Sequence, residues 1–327
     1  MRKYFFLGFG SCLLLLSVIL FIHATNNDRE VRWAEFNDKY GICALDLPEN
    51  PTFAGEQVPL HISDVRERFD RELLVNTYWQ SQTLLLLKRK ERWFGIIEPI
   101  LKQNHIPDDF KYLALAESGL TNVVSPSGAS GFWQFLEGTG KNFGLKISSE
   151  VDERYHLEKA TVAACAYLKS AYQKFNSWSL VAASYNMGID GVGKQLEKQQ
   201  VKSYYDLLLV EETSRYVFRI LALKEICENP ITYGFHLRKR DFYKPFNFVV
   251  VEVDSTIPDL ARFAQIHAIN YKELKLLNPW LRSNSLTVKS GEKYEVKIRK
   301  NNSGDGVADD SDTLWMKTLP EKEFHRE

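Results

Sequence analysis

With 327 residues, 44% of them hydrophobic and 13% aromatic, the chain can bury a substantial core and is long enough for about two domains. Lys plus Arg and Asp plus Glu balance at 42 each, so no global charge argues for a nucleic-acid partner, and none is expected. Its four cysteines show neither C-x-x-C nor Cys/His ligand spacing, which argues against a metal centre.

Taken in chain order, Arg2 and Lys3 precede an uncharged apolar run from Tyr4 to Ile22, about the length of a membrane-spanning helix. Residues 1–25 are therefore expected to be a signal anchor or signal peptide, contacting the membrane and placing the remainder outside the cytoplasm. Cleavage stays open, because Ile22-His-Ala24 matches a small-residue site only at its last position. Cys12 lies inside the apolar run and is not read as a lipidation site. Cys43, Cys165 and Cys227 are an odd number, so free buried thiols are the default, with a Cys165 to Cys227 bridge possible but unsupported.

Residues 26–62, with Pro48, Pro51 and Pro59 and no sustained periodicity, read as an irregular arm. Helical spacing begins with Val65, Phe69, Leu73, Leu74 and Tyr78, and continues from Trp93 through Ile97 to Leu101 before Pro107. Asp108 or Asp109 is expected to cap a helix that carries Phe110, Leu113 and Leu115 toward Glu117. Further helices are expected over Glu158 to Phe175, Trp178 to Met187 with Gly188 as its end, and Glu211 to about Glu228 before Asn229-Pro230. Together these predict a mainly α domain over residues 63–230.

A hinge over 231–245 precedes a change of texture. Phe248 to Val253 and Tyr294 to Ile298 read as strands, with short helices over Ile257 to Ile266 and Tyr271 to Leu277 between them. This β-α-α-β order predicts a small α+β module over 246–299. Residues 300–327, rich in Gly, Asp, Ser and Lys, read as a disordered tail, in which Trp315 has no evident role.

The stretch Tyr112-Leu-Ala-Leu-Ala-Glu117-Ser-Gly puts one carboxylate at the end of an apolar helical run, just before the glycine-rich turn Ser125-Pro-Ser-Gly-Ala-Ser-Gly-Phe-Trp-Gln-Phe135. Glycosidic cleavage needs a carboxylic acid whose pKa is raised toward neutrality, and burial among Leu113 to Ala116, with Phe132 and Trp133 folding over, would raise it. Glycosidases commonly pair two carboxylates, yet Asp108, Asp109, Glu137 and Asp152 all lack an apolar setting. Either the partner comes from an unpredictable position, or one carboxylate works on a substrate that supplies its own nucleophile. Gly138-Thr-Gly-Lys141 lacks the spacing of a phosphate loop, and neither His-Glu-x-x-His nor a nucleophile elbow occurs.

Four blocks in order carry a resemblance: Glu117-Ser118, Gly128-Ala-Ser-Gly-Phe-Trp-Gln134, Ser184-Tyr-Asn-Met-Gly188 and Glu212-Thr-Ser-Arg-Tyr-Val217. Over about 90–228 the chain resembles the lytic murein transglycosylases with a goose-type-lysozyme-like catalytic domain, the membrane-bound D type above all. The resemblance implies a carbon-oxygen lyase that cleaves the β-1,4 bond between N-acetylmuramic acid and N-acetylglucosamine in peptidoglycan glycan strands and forms a 1,6-anhydro product. Glu117 would be acid and then base, and no cofactor or metal would be needed. Ser125 and Gln134 would bind N-acetyl and hydroxyl groups, Tyr185 would reach Glu117 or the N-acetyl carbonyl, and Asn186 would line the cleft. Glu212, Arg215 and Tyr216 would support the cleft structurally.

Two small departures, Ser184 for the usual alanine and Phe132 for a smaller aliphatic, bear on cleft shape and not on activity. Residues 246–299 are similar to a LysM module, a glycan-binding fold, although Asp254-Ser-Thr256 replaces the usual Gly-Asp-Thr entry turn. A periplasmic, cell-envelope location follows, anchored or secreted. A hydrolytic muramidase of the same fold, or a non-catalytic wall-binding scaffold, are the alternatives.

Overall fold

The computed structural model describes residues 41–300. The expectations for the N-terminal apolar segment and the C-terminal tail fall outside them, and among the described residues no helix is long and apolar enough to cross a membrane. Residues 41–46 have no regular structure, and residues 47–300 belong to one compact unit.

Part of the stretch read as an irregular arm is ordered. Strands β1 (Thr52–Phe53) and β2 (Glu56–Gln57) pair antiparallel. Several attachments hold this hairpin against the helices. Phe53, fully buried, meets Phe110 edge-on at 5.3 Å. The Asp109 carboxylate accepts from the Ala54 N–H and from Lys224 Nζ, both at 2.7 Å, and Lys224 also donates to the Thr52 carbonyl at 3.0 Å. Proline density hid this, because a two-residue strand carries no readable period.

The helical domain follows as α1 (Ser63–Tyr78), α2 (Gln80–Gln103), α3 (Phe110–Ser118), α4 (Glu137–Asn142), α5 (Leu157–Phe175), α6 (Trp178–Met187), α7 (Ile189–Gln199) and α8 (Glu211–Glu228). Val65, Phe69, Leu73 and Thr77 form the buried stripe of α1, which packs along α8. Helix α2 begins well before the expected Trp93 and includes Pro99, while its polar middle, Lys88 to Arg92, masks the period. Helix α7 was not anticipated; Gly191 and Gly193 lower helix propensity, and Gly188 read as a terminus. Asp109 adopts a helical φ/ψ before α3 but makes no side-chain cap, its carboxylate being committed to Ala54 and Lys224. Asp108 pairs with Lys111.

Helix α3 is short and almost wholly interior. Phe110, Leu113, Ala114 and Leu115 are buried, and the helix is held between α2 and α8. Gly119 ends it in the left-handed region at φ 58°, with its N–H donated to the Leu115 carbonyl at 2.9 Å. A Cβ there would approach Leu86 Cδ2 to 3.0 Å.

Strands β3 (Phe248–Val253) and β4 (Tyr294–Arg299) pair antiparallel from Phe248 opposite Arg299 to Val253 opposite Tyr294. Helices α9 (Leu260–Ile266) and α10 (Tyr271–Leu277) lie between them in sequence, giving the expected β-α-α-β order. The module's core includes Val151 and Tyr155 of the helical domain as well as its own Leu260, Leu274, Trp280 and Val296. The Asp152 N–H donates to the Trp280 carbonyl at 2.9 Å, and the Glu150 carboxylate accepts from Ser285 Oγ and the Thr287 N–H. The hinge lies along α2: the Arg92 guanidinium sits 4.4 Å from the Phe246 ring centroid and 5.3 Å from that of Tyr243.

Glu56 is the firmest tie of the hairpin. Its carboxylate receives the Trp178 and Ser179 N–H groups and the Ser179 hydroxyl at the start of α6, where the helix dipole favours negative charge. Glu56→Ala leaves those donors unmet and is expected to lower stability by about 2 kcal/mol in a chemical-denaturation titration.

Candidate active site

The site is assembled from α3, the glycine-rich loop, the α6–α7 junction and the start of α8. Glu117 comes from the last turn of α3. Because α3 is buried on all sides but this end, the carboxyl is half-buried at the base of an open cleft of about 740 Å³. Burial pushes its pKa up to about 7, Glu212 adds to the rise, and the Tyr216 hydrogen bond and the nearby Arg219 charge act against it.

The glycine-rich loop is fixed by close packing. Gly131 has φ 80°, and a Cβ would stand 1.9 Å from the Arg154 carbonyl oxygen, so only glycine fits. Arg154 forks onto Asp152 and donates through Nη1 to the Gly128 carbonyl at 3.0 Å and the Phe135 carbonyl at 3.2 Å. Asp152 thus anchors this loop through Arg154. Ser118 Oγ donates to the Phe132 carbonyl at 2.9 Å, tying α3 to the same loop.

Every residue expected at the site lines the cleft: Glu117, Ser125, Gln134, Tyr185 and Asn186. Ser125 Oγ accepts from the Ala129 N–H and shares a 3.0 Å contact with Ser127 Oγ. Gln134, at φ 49°, gives its amide hydrogens to the Val123 and Gly131 carbonyls, which leaves Oε1 to accept from a ligand. Asn186 donates to Glu212 at 3.2 Å and accepts from Thr213 Oγ1 at 2.6 Å.

Two expectations about contacts change. The hydroxyl on Glu117 is that of Tyr216, which donates to Oε1 from α8; Tyr185 instead donates to the Trp133 carbonyl at 2.7 Å. Tyr216, read from sequence as structural support, is thus the carboxyl's direct partner. The helical spacing of α8 gives no sign of this, since it depends on how α8 crosses α3. Secondly, Phe132 and Trp133 do not line the cleft. Trp133 is buried with Nε1 on Thr161, and Phe132 packs edge-on against Trp93 at 5.1 Å. Ser184 is accommodated inside α6, its hydroxyl donated to the Val181 carbonyl at 2.7 Å.

Among the carboxylates weighed as a partner for Glu117, Asp108, Asp109 and Asp152 are committed to cations, and Glu137 is exposed and paired with Lys141. The other acids lining the cleft are Asp190, paired with Lys174 at 3.0 Å, and the exposed Glu212. Sequence reasoning passed over Glu212 as a helix-start residue. Cys165 and Cys227 are buried thiols outside any disulfide, with burial raising them to about 11 and about 12. Among the described residues no cluster of His, Cys, Asp or Glu could hold a metal ion.

Residues 95–208 match the family model described as a transglycosylase SLT domain, and residues 250–302 match that of a soluble lytic transglycosylase C-terminal LysM-like domain. The chain therefore joins a mainly helical SLT domain of the lytic transglycosylase family to a small C-terminal LysM-like domain. It is distantly homologous to the membrane-bound lytic murein transglycosylase D of Escherichia coli (strain K12), at 27% identity over 257 residues, or 76% of this chain and 55% of that protein. The same protein of Escherichia coli O6:H1 gives the same figures, so the chain spans little more than half the length of these curated relatives. Among solved structures, the 70 kDa soluble lytic transglycosylase of Escherichia coli overlaps 60% of this chain and 34% of its own at 20% identity and a TM-score of 0.38. The SLT match ends before α8, so Tyr216 lies outside it.

A carboxyl whose folded pKa exceeds its ordinary value of 4.5 holds its proton more tightly in the fold, so its stabilisation is complete below 4.5 and lost as pH rises through about 7. Glu117→Gln is therefore expected to match the native chain in stability near pH 4.5 and to exceed it at pH 8 by on the order of 2 to 3 kcal/mol in denaturant titrations. Tyr216→Phe removes the donor that favours the carboxylate, and a carbon-13 titration of the Glu117 carboxyl should show its pKa rising further.

Proposed function

We propose that this protein is a peptidoglycan lytic transglycosylase of the cell envelope, cleaving the β-1,4 bond between N-acetylmuramic acid and N-acetylglucosamine. One observation carries the reading: the cleft holds a single half-buried carboxyl, Glu117, raised to about 7 and directly hydrogen-bonded by Tyr216, while its other acids are exposed or paired. Near neutrality such a group is populated both as acid and as base, which a one-carboxylate mechanism needs.

In the first step Glu117 gives its proton to the glycosidic oxygen as that bond to C1 breaks. The substrate's own N-acetyl oxygen stabilises the electron-poor C1. The Glu117 carboxylate then takes the proton of the C6 hydroxyl as O6 bonds to C1, closing the 1,6-anhydro ring and restoring the acid. Tyr216 holds the carboxylate formed between the steps. Gln134 Oε1, Ser125 and Asn186 orient the amino sugar, and Tyr185, pinned between Trp133 and Tyr167, shapes the wall behind it. The N-terminal apolar run supports delivery across a membrane, and the homologue named as membrane-bound supports an envelope location.

Hydrolysis in the same cleft is the second reading, favoured by Glu212 as a carboxylate able to activate water. Purified sacculi digested with the native chain are expected to release muropeptides lighter by one water than hydrolytic products, as read by mass spectrometry. Glu117→Gln should lower release about a thousandfold, and Glu212→Gln by far less. Full-weight reducing ends that vanish in Glu212→Gln would establish hydrolysis instead. No release at all, from a protein that still sediments with sacculi, would make it a binding scaffold.

A further inference from the structure

A pocket of about 310 Å³, distinct from the Glu117 cleft, lies where α1, α2, α8 and the end of α3 meet. Its lining includes Leu115, Ala116 and Gly119, which flank Glu117 in sequence, together with Glu72, Arg215 and Arg219. Glu72 is the member that needs explaining. Its side chain is only 1% exposed, and the packing of α1 along α8 sets it opposite two arginines one turn apart.

A carboxylate taken out of water persists only where cations or other donors meet its oxygens. Glu72 Oε1 accepts from Arg71 Nη1 at 2.7 Å and from Arg215 Nε at 2.6 Å, while Oε2 faces Arg219 Nε at 3.6 Å. The arginines are not held alike. Arg215 donates to Glu211 as well, at 3.2 Å. Arg219 is about one-third exposed beside the pocket, forms no hydrogen bond among the described residues, and has Glu72 as its ion-pair partner there. Like charges four residues apart on a helix repel, so the carboxylate between Arg215 and Arg219 is what keeps both on this side of α8.

Glu117 meets few charged or titratable groups. Helix α8 turns Glu212, Tyr216 and Arg219 toward it and α6 turns Tyr185, whereas the glycine-rich loop offers the neutral Ser125, Ser127 and Gln134. Arg89 of α2 comes close to the end of α3 but donates to the Gly119 carbonyl at 3.1 Å. Tyr216 already donates to Glu117 Oε1, and Arg219 follows it by one turn on α8. A guanidinium in direct contact lowers a carboxyl by about 1–3 pH units, enough to strip Glu117 of its proton through the neutral range. Arg219 has the pocket to move in and is fixed by one long ion pair.

We propose that Glu72 is a positioning residue for Glu117: by drawing Arg219 to the α1 side of the pocket it denies the catalytic carboxyl a direct cation and lets it keep its proton. The role of Glu117 as an acid rests on the proposed function; the competition of two carboxylates for one arginine rests on the geometry. Arg71 and Arg215 occupy Oε1 and so orient the carboxylate with Oε2 toward Arg219. Without Glu72, the acid on which Arg219 already acts is Glu117, and it is the more sheltered from solvent screening of the two acids at the cleft end of α8.

The test is a carbon-13 titration of the Glu117 carboxyl in the full chain, its resonance identified by its loss in Glu117→Gln. Glu72→Gln is expected to lower the Glu117 pKa by about one pH unit or more, and Glu72→Gln combined with Arg219→Gln to bring it back to the native value or above. A displaced α8 would not give that recovery, so the pair of variants separates a charge effect from damage to the fold. Should Glu72→Gln fail to fold, Glu72→Asp keeps the charge but draws the carboxylate back from Arg219 by one methylene, and Glu117 should fall there too. On sacculi, the alkaline limb of the kcat/KM profile should move down in pH with the single variant and return in the double one. An unmoved or raised Glu117 in whichever Glu72 variant folds would overturn the inference, as would a double variant no higher than the single. A native chain that cleaves no glycan would count against the proposed function alone, because the titration needs no activity.

Discussion

The placement of Glu117 depends on one packing constraint: α3 is a nine-residue helix that cannot leave the interior. Its Phe110, Leu113, Ala114 and Leu115 are buried against α2 and α8, and Phe110 is closed over by Phe53 and Trp178. Phe110, Leu113 and Leu115 each contribute on the order of 1.5–3 kcal/mol by leaving water, and together they outweigh the cost of half-burying one carboxyl. The helix therefore sets the position of Glu117, and the carboxyl adapts by holding its proton. Proton affinity here is a consequence of packing, with Tyr216 and Arg219 moderating it.

A second set of constraints joins the rim of the cleft to the C-terminal module. The strap from Glu150 to Tyr155 acts in both directions. Arg154 and its carbonyl clamp the glycine-rich loop at Gly128, Gly131 and Phe135. Glu150, Val151 and Asp152 bind the module's 280–287 segment through its backbone and Ser285. Val151 and Tyr155 also enter the module's core. The two domains thus share buried side chains and paired backbone, while the hinge is held on α2 by Arg92 and by the Tyr243 N–H on the Lys88 carbonyl. A module joined in this way presents a continuous surface with the helical domain, and an aromatic-walled cavity at their junction exists only because of it.

Much of the architecture was legible because its signals are local. Trp178–Met187 and Glu211–Glu228 coincide with their expected limits: Gly188 and Asn229-Pro230 are terminators that act within a residue or two of the helix end. Phe248–Val253 and Tyr271–Leu277 were equally plain, the first from β-branched density and the second from its period. The missed pieces lack such signals. The 52–57 hairpin is held by Phe53, Glu56 and Asp109 contacts that span more than fifty residues. Helix α7 carries two glycines and few buried side chains, so its period is faint.

The same division runs through the site. The sequence by itself determined that Glu117 would close an apolar helix beside a glycine-rich turn, and that Ser125, Gln134, Tyr185 and Asn186 were the polar groups to watch, because residue type and short-range spacing carry that information. Only the tertiary structure decided which hydroxyl meets the carboxyl. Tyr185, half-buried, and Tyr216, buried, sit on neighbouring helices, and the crossing of α8 over α3 gives the contact to Tyr216 while Tyr185 turns to the Trp133 carbonyl. Likewise Trp93, the neighbouring His156 and Glu158, and Trp280 lie in three separate stretches of the sequence. They share a cavity because the 150–155 strap pairs the module against the helical domain, and contacts between distant segments leave no period to read.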